Sequence, residues 1–364
     1  MAVKNTDLGG TDWTDNQVLS AVDLNDTFDV LVPVHTAWHK QIVNGSSTVL
    51  SEGILKLTSL IWLSVNTEGA GTIHRTTDGG ATWTANGTYT SYATGAVCKA
   101  DATKVMIAKL DGTVYISSNS GATFTVASTP PPAVNTLRLI SWPTSSVVVA
   151  AGQKSGGTDV SNWYSTDGGD TWTQSASGPE GTEVQALDML DATHGICVGQ
   201  SGNVWITTDG GVNWTDTGDD LPNSSDGGYL TCTSRSTDVI SYEIFTGSFA
   251  AGNAGNTYFA SGDTDSEITI RTWFGSSLAM ADCGGYVEAT NGYYYAWLSS
   301  SDARGSFLIR SKDSGLTWVV VNSIPYAVAL ATSRNNVGMV WEGAANTIYM
   351  CTGVLIYKFD RTRD

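Results

Sequence analysis

Residues 184–214 read VQALDMLDATHGICVGQSGNVWITTDGGVNW, and this stretch decides the fold. Val184, Ala186, Leu187 and Met189 make a short apolar run, and Asp191, Ala192, Thr193 and His194 make a turn. Residues 195–198 form a second run, residues 200–202 a second turn, and Val204, Trp205 and Ile206 a third run. The third run enters the phrase Thr207-x-Asp209-x-Gly211-x-x-Trp214, and a fourth strand is predicted to begin near Trp214. Short strands with turn signals at regular spacing argue for an all-β sandwich, barrel or propeller. Helical periodicity is nearly absent.

The phrase recurs. Thr76, Asp78, Gly80 and Trp83 form one copy, Ser165, Asp167, Gly169 and Trp172 another, and Ser311, Asp313, Gly315 and Trp318 a later one. Ser117, Asn119, Gly121 and Phe124 form a softened copy, with amide for acid and Phe for Trp. The third position falls at 78, 119, 167, 209 and 313, in steps of 41, 48, 42 and 104. The last step spans two periods, which places a degenerate copy near 261, where Ser261 and Asp263 stand without the glycine and Trp273 follows late. A repeat of this length is one four-stranded propeller blade. Six blades follow from the motif positions. Residues 328–332, 337–341, 347–350 and 354–359 read as four more strands, giving a seven-bladed β-propeller, with a six-bladed ring plus an extra strand pair as the alternative. The ring has to close, and an early strand completing the last blade does so, because an open sheet edge invites aggregation. Pro130, Pro131 and Pro132 mark a stiff connection between the second and third blades.

Each part of the phrase has a structural task in a hairpin turn between the third and fourth strands. Gly supplies positive φ without steric cost. The Ser or Thr hydroxyl and the Asp carboxylate accept turn N–H groups. The Trp packs beneath the turn, with its indole N–H directed at a carbonyl. Each carboxylate sits in its own blade, far from the others, which argues against shared metal binding or catalysis.

The phrase resembles the Asp-box, or bacterial neuraminidase repeat, found in sialidases, sortilin-type receptors, photosystem assembly factors and many secreted or virion propellers. The resemblance covers residues 54–360 and implies fold rather than activity, since function sits in sites grafted onto folds. Residues 1–45 do not fit the repeat and read as an arm, with residues 46–364 as the propeller. Thr14 to Gln17 have capping-box form, and Val18, Ala21, Val22 and Phe28 fit one face of a short helix. This opening, particularly residues 23–28, resembles the N-termini of viral tail-fibre and spike proteins. That resemblance implies an arm that anchors the propeller to other virion proteins, multicopy or homo-oligomeric display, and attachment to host-surface glycan or protein.

Composition sets bounds. The net charge is −17, with 27 Asp among 35 acidic residues, which disfavours nucleic-acid partners. No run reaches the length of a membrane span, and the first residues lack the apolar core of a secretory signal, so either the protein stays inside the cell or it leaves by another route, such as assembly into a virion released by lysis. Cys98, Cys197, Cys232, Cys283 and Cys351 are odd in number, widely spaced and mostly on predicted strands, which reads as buried thiols rather than disulfides or a zinc site. No cofactor or metal is expected. Asp-rich turns at 216–220 and 263–265 hold oxygen donors but lack EF-hand spacing.

The chemistry-bearing candidates are few. His35 and His39 would share a helix face, but no Glu follows His35 to make a His-Glu-x-x-His pattern, and Pro33 breaks the segment. The sialidase resemblance implies three arginines around the axis and a Tyr nucleophile with a Glu partner. The arginines of the ring are Arg75, Arg138, Arg235, Arg271, Arg304, Arg310 and Arg334, and Glu288 near Tyr294 is the pair to examine. The expected early Arg-Ile-Pro phrase is absent. For binding, Trp142, Trp163, Tyr229, Tyr293 and Tyr294 lie near predicted loops or strand ends, where flat aromatic faces suit sugar rings. Trp83, Trp172, Trp205, Trp214 and Trp318 are assigned to the blades. The reading is a virion surface propeller without catalysis, with a sialidase-type glycoside hydrolase and a cellular scaffold or assembly factor as alternatives.

Overall fold

The apolar runs of the repeat that fall within the described residues become strands. The computed structural model describes residues 39–41, 53–65, 72–88, 94–99, 101–132, 134–154, 160–181, 183–199, 202–220, 230–234, 242–247, 257–263, 266–272, 280–288, 293–300, 306–312, 317, 319–324, 339–342, 347–352 and 355–360. Strand β1 (His39–Gln41) precedes the repeats. The first unit is β2 (Gly53–Lys56), β3 (Trp62–Val65), β4 (Thr72–Thr76) and β5 (Thr84–Thr88). The second is β6 (Thr94–Lys99), β7 (Val105–Lys109), β8 (Val114–Ser117) and β9 (Thr125–Val126). The third is β10 (Val134–Ser141), β11 (Val148–Lys154), β12 (Asn162–Ser165) and β13 (Thr173–Gln174). The fourth is β14 (Val184–Met189), β15 (Gly195–Gly199), β16 (Asn203–Thr207) and β17 (Thr215–Asp220). The fifth is β18 (Leu230–Ser234), β19 (Tyr242–Gly247), β20 (Thr257–Asp263) and β21 (Ser266–Thr272). The sixth is β22 (Met280–Glu288), β23 (Tyr294–Ser300), β24 (Ser306–Ser311) and β25 (Val319–Ile324). The last supplies β26 (Met339–Glu342), β27 (Thr347–Thr352) and β28 (Leu355–Asp360).

Six units form antiparallel sheets in simple chain order, and a seventh sheet runs β26-β27-β28-β1. The described residues thus form seven four-stranded sheets, not the six-bladed alternative. The first strands of successive sheets touch one another, and β2 touches β26, so the first strands ring the axis and the fourth strands lie outside. Closure is made by β1, with His39 opposite Lys358, Lys40 opposite Tyr357 and Gln41 opposite Ile356. This strand falls inside the stretch 1–45 that the sequence marks as an arm, so the end of that stretch is a propeller strand. It also places His39 on a strand rather than a helix. His35, the short helix expected around 14–28 and the strand expected at 328–332 lie outside the described residues.

A blade clamped between two neighbours buries both faces of its central strands. Accordingly β7 and β15 are buried at every position, and their sequences are nearly continuous apolar runs. Met106, Leu137, Trp142, Trp163 and Trp172 fill the space between the second and third blades. Leu139, Val149, Val184, Cys197 and Trp214 fill the space between the third and fourth. Cys197 is a free buried thiol, and burial pushes its pKa up. No helix among the described residues is long and apolar enough to cross a membrane.

Candidate binding face

Because strands alternate in direction, the motif turns and the connections between first and second strands share one end of the ring. At that end the buried hydroxyls of Thr76, Ser117, Ser165 and Thr207 accept N–H bonds from Gly80, Gly121, Gly169 and Gly211 at 3.0, 2.9, 2.8 and 3.0 Å. The same hydroxyls donate to Oδ1 of Asp78, Asn119, Asp167 and Asp209 at 2.7, 2.9, 2.8 and 3.0 Å. That Oδ1 also accepts the backbone N–H four residues on, from Thr82, Thr123, Thr171 and Asn213. In the softened copy the last side-chain bond is reversed: Asn119 Nδ2 donates to Thr123 Oγ1 at 2.8 Å, where Thr82, Thr171 and Asn213 donate to a carboxylate.

These donors act on the carboxylates. The Thr82 hydroxyl and amide hold Asp78 well below the usual range, at about 2. For Asp167 and Asp209 partial burial pushes upward, but the bonds from Thr171 and Asn213 outweigh it and the pKa falls. The indole N–H of Trp83 reaches the Gly80 carbonyl at 3.1 Å and that of Trp172 the Gly169 carbonyl at 2.7 Å, whereas Trp214 Nε1 has no hydrogen-bond partner. Asp313, Gly315 and Trp318 lie outside the described residues, though Ser311 is buried at the end of β24. At the degenerate copy, Asp263 faces Ser266 directly, so a short hairpin replaces the motif turn. Among the described residues, each motif acid is engaged inside its own turn.

The first strands begin at the opposite end, and there four of them bulge at the same place. The register slips between Thr94 and Ala96 in β6, Val134 and Thr136 in β10, Val184 and Ala186 in β14, and Met280 and Asp282 in β22. Bulges re-aim side chains and cluster at functional rims. In β10 a second slip between Leu137 and Leu139 throws out Arg138. Its Nε lies 2.5 Å from Oε1 of Glu183, which the crossover from the third blade places immediately before β14. The Glu183 side chain is 6% exposed and that of Arg138 22%. Thr136 Oγ1 and Gln185 Nε2, on the same two strands, are buried without hydrogen-bond partners. Lys109, also largely buried, lies 3.6 Å from Asp111 in the neighbouring blade. The β10 backbone needs a glycine behind it: a Cβ on Gly152 would stand 1.9 Å from the Thr136 carbonyl. Guanidinium, ammonium and amide donors beside two carboxylates suit the hydrogen-bonding groups of a peptide or other polar chain better than an apolar ligand.

Sequence reasoning did not find this rim, since Arg138, Glu183 and Gln185 belong to no motif. The aromatic candidates fare differently. Trp142 and Trp163 are 6% and 0% exposed, inside the core between the second and third blades, and Trp163 Nε1 donates to the Pro132 carbonyl at 3.1 Å. Neighbouring blades cover both rings, so neither presents a face to a sugar. Tyr293 is half-buried, with the Arg310 guanidinium 5.1 Å from its ring centre. Tyr294 sits on β23 directly opposite Glu288. Tyr229 lies outside the described residues, as do Arg235, Arg304 and Arg334. Of the placed arginines only Arg138 is on a first strand; Arg75 and Arg310 are on third strands and Arg271 on a fourth. Arg75 is occupied by the Ser120 carbonyl at 3.0 Å.

No protein-family model matches the chain, and no curated sequence is a match. Its shape is similar to solved propellers. YCF48 bound to D1 peptide aligns over 91% of this chain and 97% of its own, at 15% identity and a TM-score of 0.62. The WD40 propeller domain of Doa1 aligns over 90% of this chain and 98% of its own, at 10% identity and a TM-score of 0.58. An ancestral GH74 enzyme aligns over 89% of this chain at 13% identity and a TM-score of 0.63, but the match spans 46% of that enzyme. At these identities the likeness establishes the β-propeller fold and no activity.

Proposed function

We propose that this chain is a binding propeller that holds a partner protein at the rim opposite its motif turns. The observation that carries the reading is Arg138, displaced by a bulge from an axial strand and set against Glu183 of the next blade. Gln185 and Lys109 add donors around it. The similarity to YCF48, solved with a peptide, supports a peptide-like ligand. The test is selection from a phage-displayed random-peptide library on the full chain. Enriched peptides should lose binding to Arg138→Ala and keep it with Asp209→Ala, which alters the other end. Failure to enrich, or indifference to Arg138, overturns the reading.

Within this reading the motif is an Asp-box and the setting a virion surface. The residues before β1 link the propeller to other virion proteins, and the ring engages host-surface glycan or protein. What supports this is the resemblance of the opening residues to tail-fibre and spike proteins. Immunogold labelling of particles tests it, and bare particles beside labelled cells would count against it. A glycosidase reading has one observation in its favour, the register of Glu288 against Tyr294. Reporter turnover lost in Glu288→Gln would establish it; no turnover over a broad panel would end it.

A further inference from the structure

The polar groups at the rim divide into two sets. The charged ones face one another: Arg138 lies against Glu183, and Lys109 against Asp111. The turn that carries Lys109 and Asp111 is fastened to β10, where the Leu137 N–H reaches the Leu110 carbonyl at 2.9 Å. The uncharged ones are the Thr136 hydroxyl on β10 and the Gln185 amide nitrogen on β14, and neither has a hydrogen-bond partner among the described residues. The two strands touch. Gln185 is the residue that the slip in β14 leaves with nothing opposite, and Thr136 adjoins the matching slip in β10. A covered polar atom without a partner costs stability, so these two atoms are the ones that gain from a ligand.

Thr136 and Gln185 are each only half-buried as residues. Rotation about their side-chain bonds turns the polar atom outward without moving a blade. Neither gives up a hydrogen bond in turning. A charged ligand has no such opening. A carboxylate that takes Arg138 or Lys109 has to displace Glu183 or Asp111, and an ammonium that takes Glu183 has to displace Arg138. Either exchange takes the partner from a largely buried charge, which is costly. We infer, on the partner-binding reading above, that the rim recognises an uncharged amide group of its peptide ligand. The Gln185 amide donates to the carbonyl of that group, and the Thr136 hydroxyl accepts from its N–H. Arg138 and Glu183 close the site as a neutral pair. Arg138→Ala then weakens binding because it leaves a bare carboxylate beside the ligand carbonyl.

Apolar near-isosteres in the full chain separate recognition from a role in folding. Thr136→Val and Gln185→Met remove only atoms without partners, so the thermal midpoint should stay unchanged or rise. Each should weaken the Arg138-dependent peptides from the library selection by about tenfold or more. In those peptides one Asn, Gln or main-chain amide should account for the loss. Replacing that residue by Asp or Glu, or N-methylating that main-chain amide, should weaken binding to the parent chain by a similar factor and add little in Thr136→Val. Peptides that need Arg138 but bind Thr136→Val and Gln185→Met as tightly as the parent leave the rim reading standing and overturn this one. So do peptides that gain affinity when the amide becomes a carboxylate. Variants that lose stability would show that the two atoms serve the fold, which also overturns it. A library that yields no Arg138-dependent peptide removes both readings.

Discussion

The Ser120 hydroxyl donates to the Ala102 carbonyl at 2.8 Å, and that bond lets a serine stand where three other motif turns carry glycine. Ser120 has φ 58°, and Gly79, Gly168 and Gly210 have φ 72°, 80° and 76°. All four donate their N–H to the connection between the first and second strands, at Leu60, Thr103, Ser146 and Thr193. A Cβ on Gly79, Gly168 or Gly210 would approach the Ser59, Ser145 or Ala192 carbonyl to 3.3, 2.9 or 2.7 Å. The carbonyl that crowds a side chain in those turns accepts the hydroxyl in this one.

Ser120→Ala therefore keeps the crowding and loses the bond, costing about 1 kcal/mol in denaturant unfolding, while Ser120→Gly is near neutral. Gly210→Ala should cost about 1–3 kcal/mol, and Gly210→Ser less than Gly210→Ala. Equal losses for alanine and serine at 210 would show that the hydroxyl contributes nothing.

Acid should loosen the motif turns unequally. The Asp78 carboxylate is depressed in the folded chain, so its stabilising bonds are complete above the unfolded pKa of about 3.9 and are lost as pH falls toward about 2. The Asn119 turn has no carboxylate to protonate. Amide exchange measured from pH about 5 down to about 2 should accelerate at residues 78–84 and stay flat, after correction for intrinsic rates, at 119–125. Asn119→Asp should confer the same acid sensitivity, and parallel loosening of both turns in the parent chain would refute the assignment.

Removing Arg138 takes a cation away from the largely buried Glu183 carboxylate. Arg138→Met should cost about 2–3 kcal/mol, less than a fully buried pair because Arg138 keeps partial exposure. Arg138→Met with Glu183→Gln should recover most of that loss. A double variant no better than the single would mean that the two side chains are not coupled.

Gly152→Ala tests the bulge itself. A side chain cannot fit 1.9 Å from the Thr136 carbonyl, so β10 has to move. The expected loss is about 3 kcal/mol or more in unfolding experiments, with peptide binding at the rim lost even where the variant remains folded. Retained binding would show that the bulge does not position Arg138.

Truncation separates the arm from the seam. Removal of residues 1–38 should leave thermal unfolding unchanged, whereas removal of 1–45 takes away β1, exposes β28 and should lower the midpoint by about 5 °C or more with aggregation. Indistinguishable truncations would show that β1 adds nothing to closure.

Much of the architecture was legible because the motif turn is made by local bonds. Thr207, Asp209 and Gly211 lie within five residues and satisfy one another, so their spacing survives in the sequence. A second turn, legible in sequence only at 191–194, also recurs. Thr58, Asp101, Thr144 and Asp191 each accept backbone N–H bonds in the connection between first and second strands. They precede the motif hydroxyl by 18, 16, 21 and 16 residues, and this irregular spacing hides them. The rim was illegible for a different reason. Arg138 is thrown out by a register slip that depends on the partner strand and on Gly152, a relation no single segment encodes. Trp142 and Trp163 sit near strand ends in sequence, but their burial is decided by the blade beside them.

The pairing of His39 with Lys358 also sets an order of events. During synthesis the first six blades have all their strands soon after they emerge, and each can dock on its predecessor. The seventh has to recruit a strand made before the other blades, which waits unpaired until the rest of the ring has been produced. Such a long-range closure is entropically late and slow. The same seam is then the first place for the finished ring to open, so mechanical pulling from the N-terminus should unzip the protein there before any interior blade yields.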